Sequence, residues 1–295
     1  LTTIFNIFFI FARKLFLFSL YCQKISTKEV IIINFLFWFI IFLFLFLPIL
    51  KNKYLNYKRI TLIKKIEKKR NSRLITMIHR QEILSIIGVP FTRFINIEDS
   101  EEILRAIRLT DNKKKIDIIL HTPGGLVLAA EQIARAIKKH PNKVRVIIPH
   151  YAMSGGTLIA MAADEIIMDE NAVLGPVDPQ IGEYPAVSIL KTASFKERSD
   201  LDDETLILAD IADKAIHQLK RFIYSLLKDK MNKTEINKII DNLAEGKYTH
   251  DYPLTVEIME ELNISINTDL DKEIYELMRL YPQPGKGRPS VYYVN

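Results

Sequence analysis

The sequence predicts an α/β domain on a largely parallel sheet, carried behind a membrane-spanning helix. Three observations predict it. From Arg73 onward, short β-rich runs alternate with segments of helical period, the order that builds parallel βαβ units. Val30 to Leu50, "VIIINFLFWFIIFLFLFLPIL", carries no charge and meets the roughly 20 apolar residues needed to cross a bilayer core. Lys and Arg then dominate the next stretch.

Residues 1–29 are a hydrophobic N-terminal extension broken in its middle by Arg13 and Lys14, where a bilayer centre opposes each charge by a few kcal/mol. An interfacial helix, a poor first span and sequence upstream of the true start all fit it. Residues 30–50 read as the transmembrane helix, with Pro48 near its end. Residues 51–73 read as a basic juxtamembrane connector with a partial apolar stripe from Leu55, Ile60, Leu62, Ile63 and Ile66. Its Lys51, Lys53, Lys58, Arg59, Lys64, Lys65, Lys68, Lys69 and Arg70 outweigh Lys24 and Lys28 on the other flank. The positive-inside rule therefore puts the following domain in the cytoplasm.

Residues 74–275 form the globular part. "RLITMIH" reads as a strand, "EDSEEILRAIRLT" as a capped helix, and "KIDIILHTPGG" as a buried strand ending in a glycine turn. "LVLAAEQIARAIKKH" is helical, "KVRVIIPHYA" is a strand, and "DEIIMDENAVLGPVDPQIG" is a short strand running into a Pro/Gly-rich loop. Residues 202–230 make a long helix, acidic at its start and ending in lysine, as the helix dipole favours. Residues 276–295 read as a Pro/Gly-rich tail. The net charge of +6 sits largely in the connector, and no basic surface interleaved with aromatics marks the globular part, which argues against nucleic acid. Cys22 is the single cysteine and excludes an internal disulfide. Nothing in the sequence calls for a metal or a cofactor.

"HYAMSGGTLIAMAADEI" places Ser154 before two glycines and a helix-forming run. A serine there is either an N-cap or a nucleophile on a tight strand-to-helix turn, with free backbone N–H groups beside it. Acyl transfer by serine also needs a base and N–H donors where the oxyanion develops. Right-handed βαβ crossovers bring Thr122-Pro123-Gly124-Gly125 and Met153-Ser154-Gly155-Gly156 to one sheet edge, so the Gly125 and Gly155 N–H groups can converge on one oxygen.

"HTPGG" followed by "AMSGGTLIAMAADEI" and "LGPVDPQIG", with "RQE", "AIRLT" and "GKYTHDYPLT", closely resembles the serine dehydrogenase proteinase family of the ClpP/crotonase superfamily, relatives of signal peptide peptidase A. The resemblance runs from about Arg73 to the C terminus. It implies a ClpP/crotonase-like fold and a membrane-anchored serine peptidase acting on protein or peptide, with Ser154 as nucleophile and Gly125 and Gly155 as the oxyanion hole. It also implies self-association, for which the helix over 202–230 offers an apolar stripe.

Where Clp-type proteases carry their catalytic histidine, this chain reads "GPVDPQ". A triad built that way is therefore not expected, and Asp178 before Pro179 suits an Asx turn. Relatives that use a Ser-Lys dyad point to Lys191 in "SILK" or Lys196 in "SFKE". A lysine base must be neutral and so desolvated. Lys191 follows the apolar "AVSIL" and is the better candidate, whereas Lys196 adjoins Glu197 and Arg198. His121 and His150 at strand ends read as structural or substrate-site residues, and His250 as serving a turn. Two other readings stand beside the peptidase: a catalytically silent membrane scaffold, and a crotonase-like enzyme on acyl-CoA thioesters.

Overall fold

A computed structural model describes residues 27–79, 81–84 and 89–281. Residues 1–26 of the N-terminal extension and 282–295 of the tail lie outside the described residues. The first element, helix α1, runs unbroken over Thr27–Arg70. Span and connector are thus one helix, and Pro48 lies inside it rather than at its end. Proline has no N–H to donate to the carbonyl four residues back, yet the helix continues on both sides of it. The apolar window of α1 is 0% buried within the protein. That separates it from a core helix, and by length and composition it is able to cross a membrane.

Chain contacts form two units, one of Leu1–Leu62, Glu82–Phe91 and Pro284–Asn295, the other of Ile63–Gln81 and Thr92–Gln283. In the first, α1 as far as Leu62 is the long element. Strands β2 (Gln81–Leu84) and β3 (Val89–Thr92) pair with each other.

The second unit holds the sheet. Its strands are β1 (Ser72–Ile78), β4 (Lys115–His121), β5 (Val144–Ile148), β7 (Glu165–Met168) and β11 (Ile266–Asn267), in the order β1-β4-β5-β7-β11 and parallel throughout. Ile116, Ile118, Ile119 and Leu120 of β4 are all fully buried, because a parallel strand is covered on both faces. Helices α2 (Ile97–Arg108), α3 (Val127–Lys139) and α4 (Gly155–Ala162) return the chain between strands. Helix α3 buries Ala129, Ala130, Ile133, Ala134 and Ile137 along one face, and every residue of α4 is buried. A helix buried on every face is a core helix, and its Thr157 hydroxyl is satisfied by the Ala152 and Gly175 carbonyls.

The short strands β6 (Tyr151–Ala152) and β8 (Val173–Leu174) pair in parallel, and β9 (Gln180–Ile181) pairs antiparallel with β10 (Tyr184–Pro185). Helix α5 (Ala186–Ser194) packs on α6 (Asp203–Leu227), with Ala186, Ala212 and Ile216 at the centre of their contact. Asp202 caps α6 by accepting from the Thr205 N–H at 2.7 Å. Helices α7 (Lys233–Leu243), α8 (Val256–Glu261) and α9 (Lys272–Arg279) complete the unit. Leu277 and Met278 are buried at 0% and 2% exposure, so the globular part extends past residue 275 and the tail starts later than expected.

At the N-terminal edge of the sheet Asp117 of β4 is a buried carboxylate, with 0% exposure. It accepts from Arg70 Nε at 2.7 Å, Ser72 Oγ at 2.7 Å, and Arg145 Nε and a second guanidinium nitrogen of Arg145 at 2.5 and 2.9 Å. Arg70 also binds Asp271, while Lys69 binds Asp271 and Glu273. The last turn of α1 is thereby tied to three strands or their flanks and to α9.

Candidate active site

Parallel strands all end on one edge, and ligands in such sheets sit outside the C-terminal ends. Here that edge carries the turn after β4 and the turn after β6. They are stitched together: Met153 N–H donates to the Thr122 carbonyl at 2.9 Å and Thr122 N–H to the Tyr151 carbonyl at 3.3 Å.

Ser154 occupies the N-cap position of α4, but its side chain makes no capping hydrogen bond. Its backbone stands at φ 50°, ψ −114°, a region that non-glycine residues occupy at a cost of order 1–3 kcal/mol. The cap reading therefore fails for this serine. The residue is half-buried, and among the described residues no lysine or histidine hydrogen-bonds to its hydroxyl.

Gly124 and Gly125 stand at φ 106° and φ 154°. A Cβ on Gly124 would fall 2.9 Å from Ser154 Cβ, and one on Gly125 would fall 2.3 Å from the Ile95 carbonyl oxygen. Both must be glycine, because backbone or the serine itself fills the space a side chain would need. The Gly124 carbonyl accepts from Ile95 N–H at 2.7 Å, and the Ile95 carbonyl accepts from Leu126 N–H at 2.8 Å. In a planar trans peptide the N–H points opposite to the carbonyl, so this bond turns the Gly125 N–H away from Ile95. Neither the Gly125 nor the Gly155 N–H donates to an acceptor among the described residues. A Cβ on Gly155 would come 3.9 Å from the Gly125 nitrogen. The two glycine turns thus meet as the crossover argument predicted, with two unengaged donors beside one serine.

The other predicted residues lie differently. Lys191, on α5, is exposed, as is Lys196. His150 is exposed too, and its ring meets His121 edge-on at 5.6 Å. His121 is buried at 1% exposure, with the Tyr151 ring 4.2 Å away. Asp178 does not make the expected Asx turn. It is buried at 2% exposure, and its carboxylate accepts from Gln180 Nε2 at 2.6 Å and pairs with His250 Nδ1 at 2.8 Å. That hydrogen bond raises the His250 pKa, against the lowering effect of burial. The pair spans 72 positions, and neither residue's surroundings in sequence point to the other.

Sequence reading also passed over His79, at the end of β1. Its Nδ1 lies 2.9 Å from Thr122 Oγ1 and its Nε2 3.3 Å from an Asp99 carboxylate oxygen. Burial lowers its pKa, opposed by Asp99 and helped by the charge of Arg93.

The family model of ClpP-like SDH-type serine proteinases matches residues 24–295. The uncharacterized protein MJ1495 of Methanocaldococcus jannaschii is 54% identical over 275 residues, covering 93% of this chain and 94% of that one. The probable protease SohB of Haemophilus influenzae is 24% identical over 188 residues, 58% of this chain and 52% of SohB. Among solved structures, ClpP1 from Listeria monocytogenes aligns with a TM-score of 0.44 at 16% identity, covering 70% of this chain and 97% of that chain. With nearly its whole length matched by the family model, the chain belongs to the ClpP-like SDH-type serine proteinases.

Proposed function

We propose that this chain is a membrane-anchored serine endopeptidase that cleaves peptide bonds through an acyl-enzyme on Ser154. The backbone of Ser154 carries the reading. A non-glycine residue held at φ 50° with a hydroxyl that caps nothing is strain without a structural return, and such strain gathers at functional sites. In the acylation step Ser154 Oγ bonds to the scissile carbonyl carbon and its proton passes to the base. The carbonyl oxygen gains its charge between the Gly125 and Gly155 N–H groups. The C–N bond then breaks, the base returns the proton to the leaving amine, and water repeats the sequence on the ester. A fluorophosphonate that labels the detergent-solubilised full chain but not Ser154→Ala is the test.

Lys191 is the base in this reading. A lysine takes a proton only when neutral, which requires desolvation, and Lys191 is exposed in the single chain. Assembly supplies the cover: α6, against which α5 packs, leaves Ile207 and Ile211 at 59% and 43% exposure, an apolar surface suited to a second copy. The expected result is a homo-oligomeric mass in detergent and loss of labelling in Lys191→Ala, with Lys196→Ala close to wild type. A monomeric, fully active enzyme, or normal labelling of Lys191→Ala, would remove Lys191 from the mechanism. The same exposure favours a second reading, a catalytically silent scaffold, which a wild-type chain inert to the probe in its assembled state would support.

The catalytic unit faces the cytoplasm in this proposal, on the basic residues from Lys51 to Arg70 that follow the apolar span. Protease added outside intact cells should leave it whole, and inverted vesicles should expose it. Digestion from outside would reverse the orientation.

A further inference from the structure

The geometry assigns His79 as a positioning residue for the oxyanion turn, acting through Thr122 on the Gly124–Gly125 peptides. This rests on the reading of Ser154 as nucleophile and Gly125 as an oxyanion donor. His79 is 5% exposed and Thr122 0%, so water does not compete for their bonds. The contacts form one chain: Asp99 carboxylate to His79 Nε2 at 3.3 Å, His79 Nδ1 to Thr122 Oγ1 at 2.9 Å, and Thr122 Oγ1 to Gly124 N–H at 3.2 Å.

Hydrogen-bond chemistry gives the chain a direction. The Asp99 carboxylate 3.3 Å from Nε2 can only accept, which favours the neutral tautomer protonated there and leaves Nδ1 as the acceptor. Thr122 must then donate its hydroxyl proton to Nδ1. Its oxygen keeps a lone pair for the Gly124 N–H. That bond orients the peptide entering Gly124, while Ile95 N–H on the Gly124 carbonyl orients the next one. Two successive glycines with positive φ have little conformational preference of their own. External bonds therefore decide whether the Gly125 N–H points at the serine or away from it. Asp99 is itself held, as the N3 residue of the Asn96 capping box that opens α2, so the turn is referenced to a helix terminus as well as to β1.

Charging His79 breaks the chain. With both ring nitrogens donating, Thr122 can no longer give its proton to Nδ1, and the alternative acceptor is the Gly124 carbonyl at 3.4 Å. That carbonyl is the group whose bond to Ile95 sets the Gly125 N–H. The groups facing His79 are Asp99 from α2, which favours the charged ring, and Arg93, which disfavours it.

The test measures the rate of fluorophosphonate labelling of the detergent-solubilised full chain. His79→Leu and Thr122→Val, which keep volume and remove the polar link, should slow labelling about 100-fold, the scale of a misplaced reacting group, with little change in melting temperature. His79→Asn, whose side-chain oxygen can accept from Thr122, and Thr122→Ser should recover most of the rate. On the acid side, log rate against pH should steepen below the ordinary histidine pKa of about 6.5 in the wild type and not in His79→Asn. If His79→Leu fails to fold, the Thr122→Val and Thr122→Ser pair and the wild-type pH profile decide. Wild-type labelling rates in Thr122→Val, with Ser154→Ala unlabelled, would overturn the role of His79 and leave the nucleophile standing. A wild-type chain that never labels would overturn both.

Discussion

Ser154→Ala is expected to abolish acylation while leaving the protein folded. Removing the nucleophile of a serine protease costs about a million-fold in kcat, so labelling and peptide cleavage should fall to background. Alanine at a helix N-cap ordinarily destabilises by about 1 kcal/mol, but that loss comes from a capping bond Ser154 does not make. The melting temperature should therefore hardly move. Ser154→Gly goes further: glycine accepts φ 50° without the Cβ penalty, so this variant should be equally inactive yet more stable, by about 1 kcal/mol before its larger unfolded-state entropy is counted. Retained labelling in Ser154→Ala would dismiss the nucleophile. Clear destabilisation of Ser154→Gly would show that the strain argument misreads this turn.

The largest expected effect on stability is that of Asp117→Ala. The Asp117 carboxylate sits between Arg70 and Arg145, whose side chains are only 12% and 15% exposed. Deleting it leaves two guanidinium groups facing each other with little water, and breaking a buried pair by removing one partner costs about 3–5 kcal/mol. Against a total of about 5–15 kcal/mol for a domain, that is a large share. For a unit of this size it should lower the melting temperature by roughly 10 °C. Asp117→Asn retains one acceptor oxygen and should fall in between. Because Arg70 is the last residue of α1, the Ala variant should also expose the Arg70–Asn71 junction to trypsin. A melting temperature within about two degrees of wild type would mean that the carboxylate only balances its own desolvation.

Much of the site was readable from short stretches. "HTPGG" and "MSGG" each mark a strand end followed by a glycine turn, and the fixed hand of βαβ crossovers brings both to one edge. The proposal of Gly125 and Gly155 as donors beside Ser154 follows from that handedness alone. The lysine was harder. "AVSIL" before Lys191 is apolar, but on α5 this run packs with Ala186 buried while Lys191 stays exposed, and apolar neighbours in sequence do not state which way a helical side chain points.

By itself the sequence determined an apolar helix long enough to cross a bilayer, the βαβ order and the meeting of the two glycine turns. These follow from composition, periodicity and chain handedness, which are local or universal. Only the tertiary structure decided that α1 continues through Pro48 to Arg70, and that Ser154 sits at φ 50° instead of capping its helix. It also decided that Asp178 turns inward to His250, that His79 hydrogen-bonds Thr122, and that Asp99 stands beside the far nitrogen of that ring. The physical reason is the same in each case. A buried polar group must find a partner, and which one it finds depends on the packing of segments tens of residues apart, which no local pattern records.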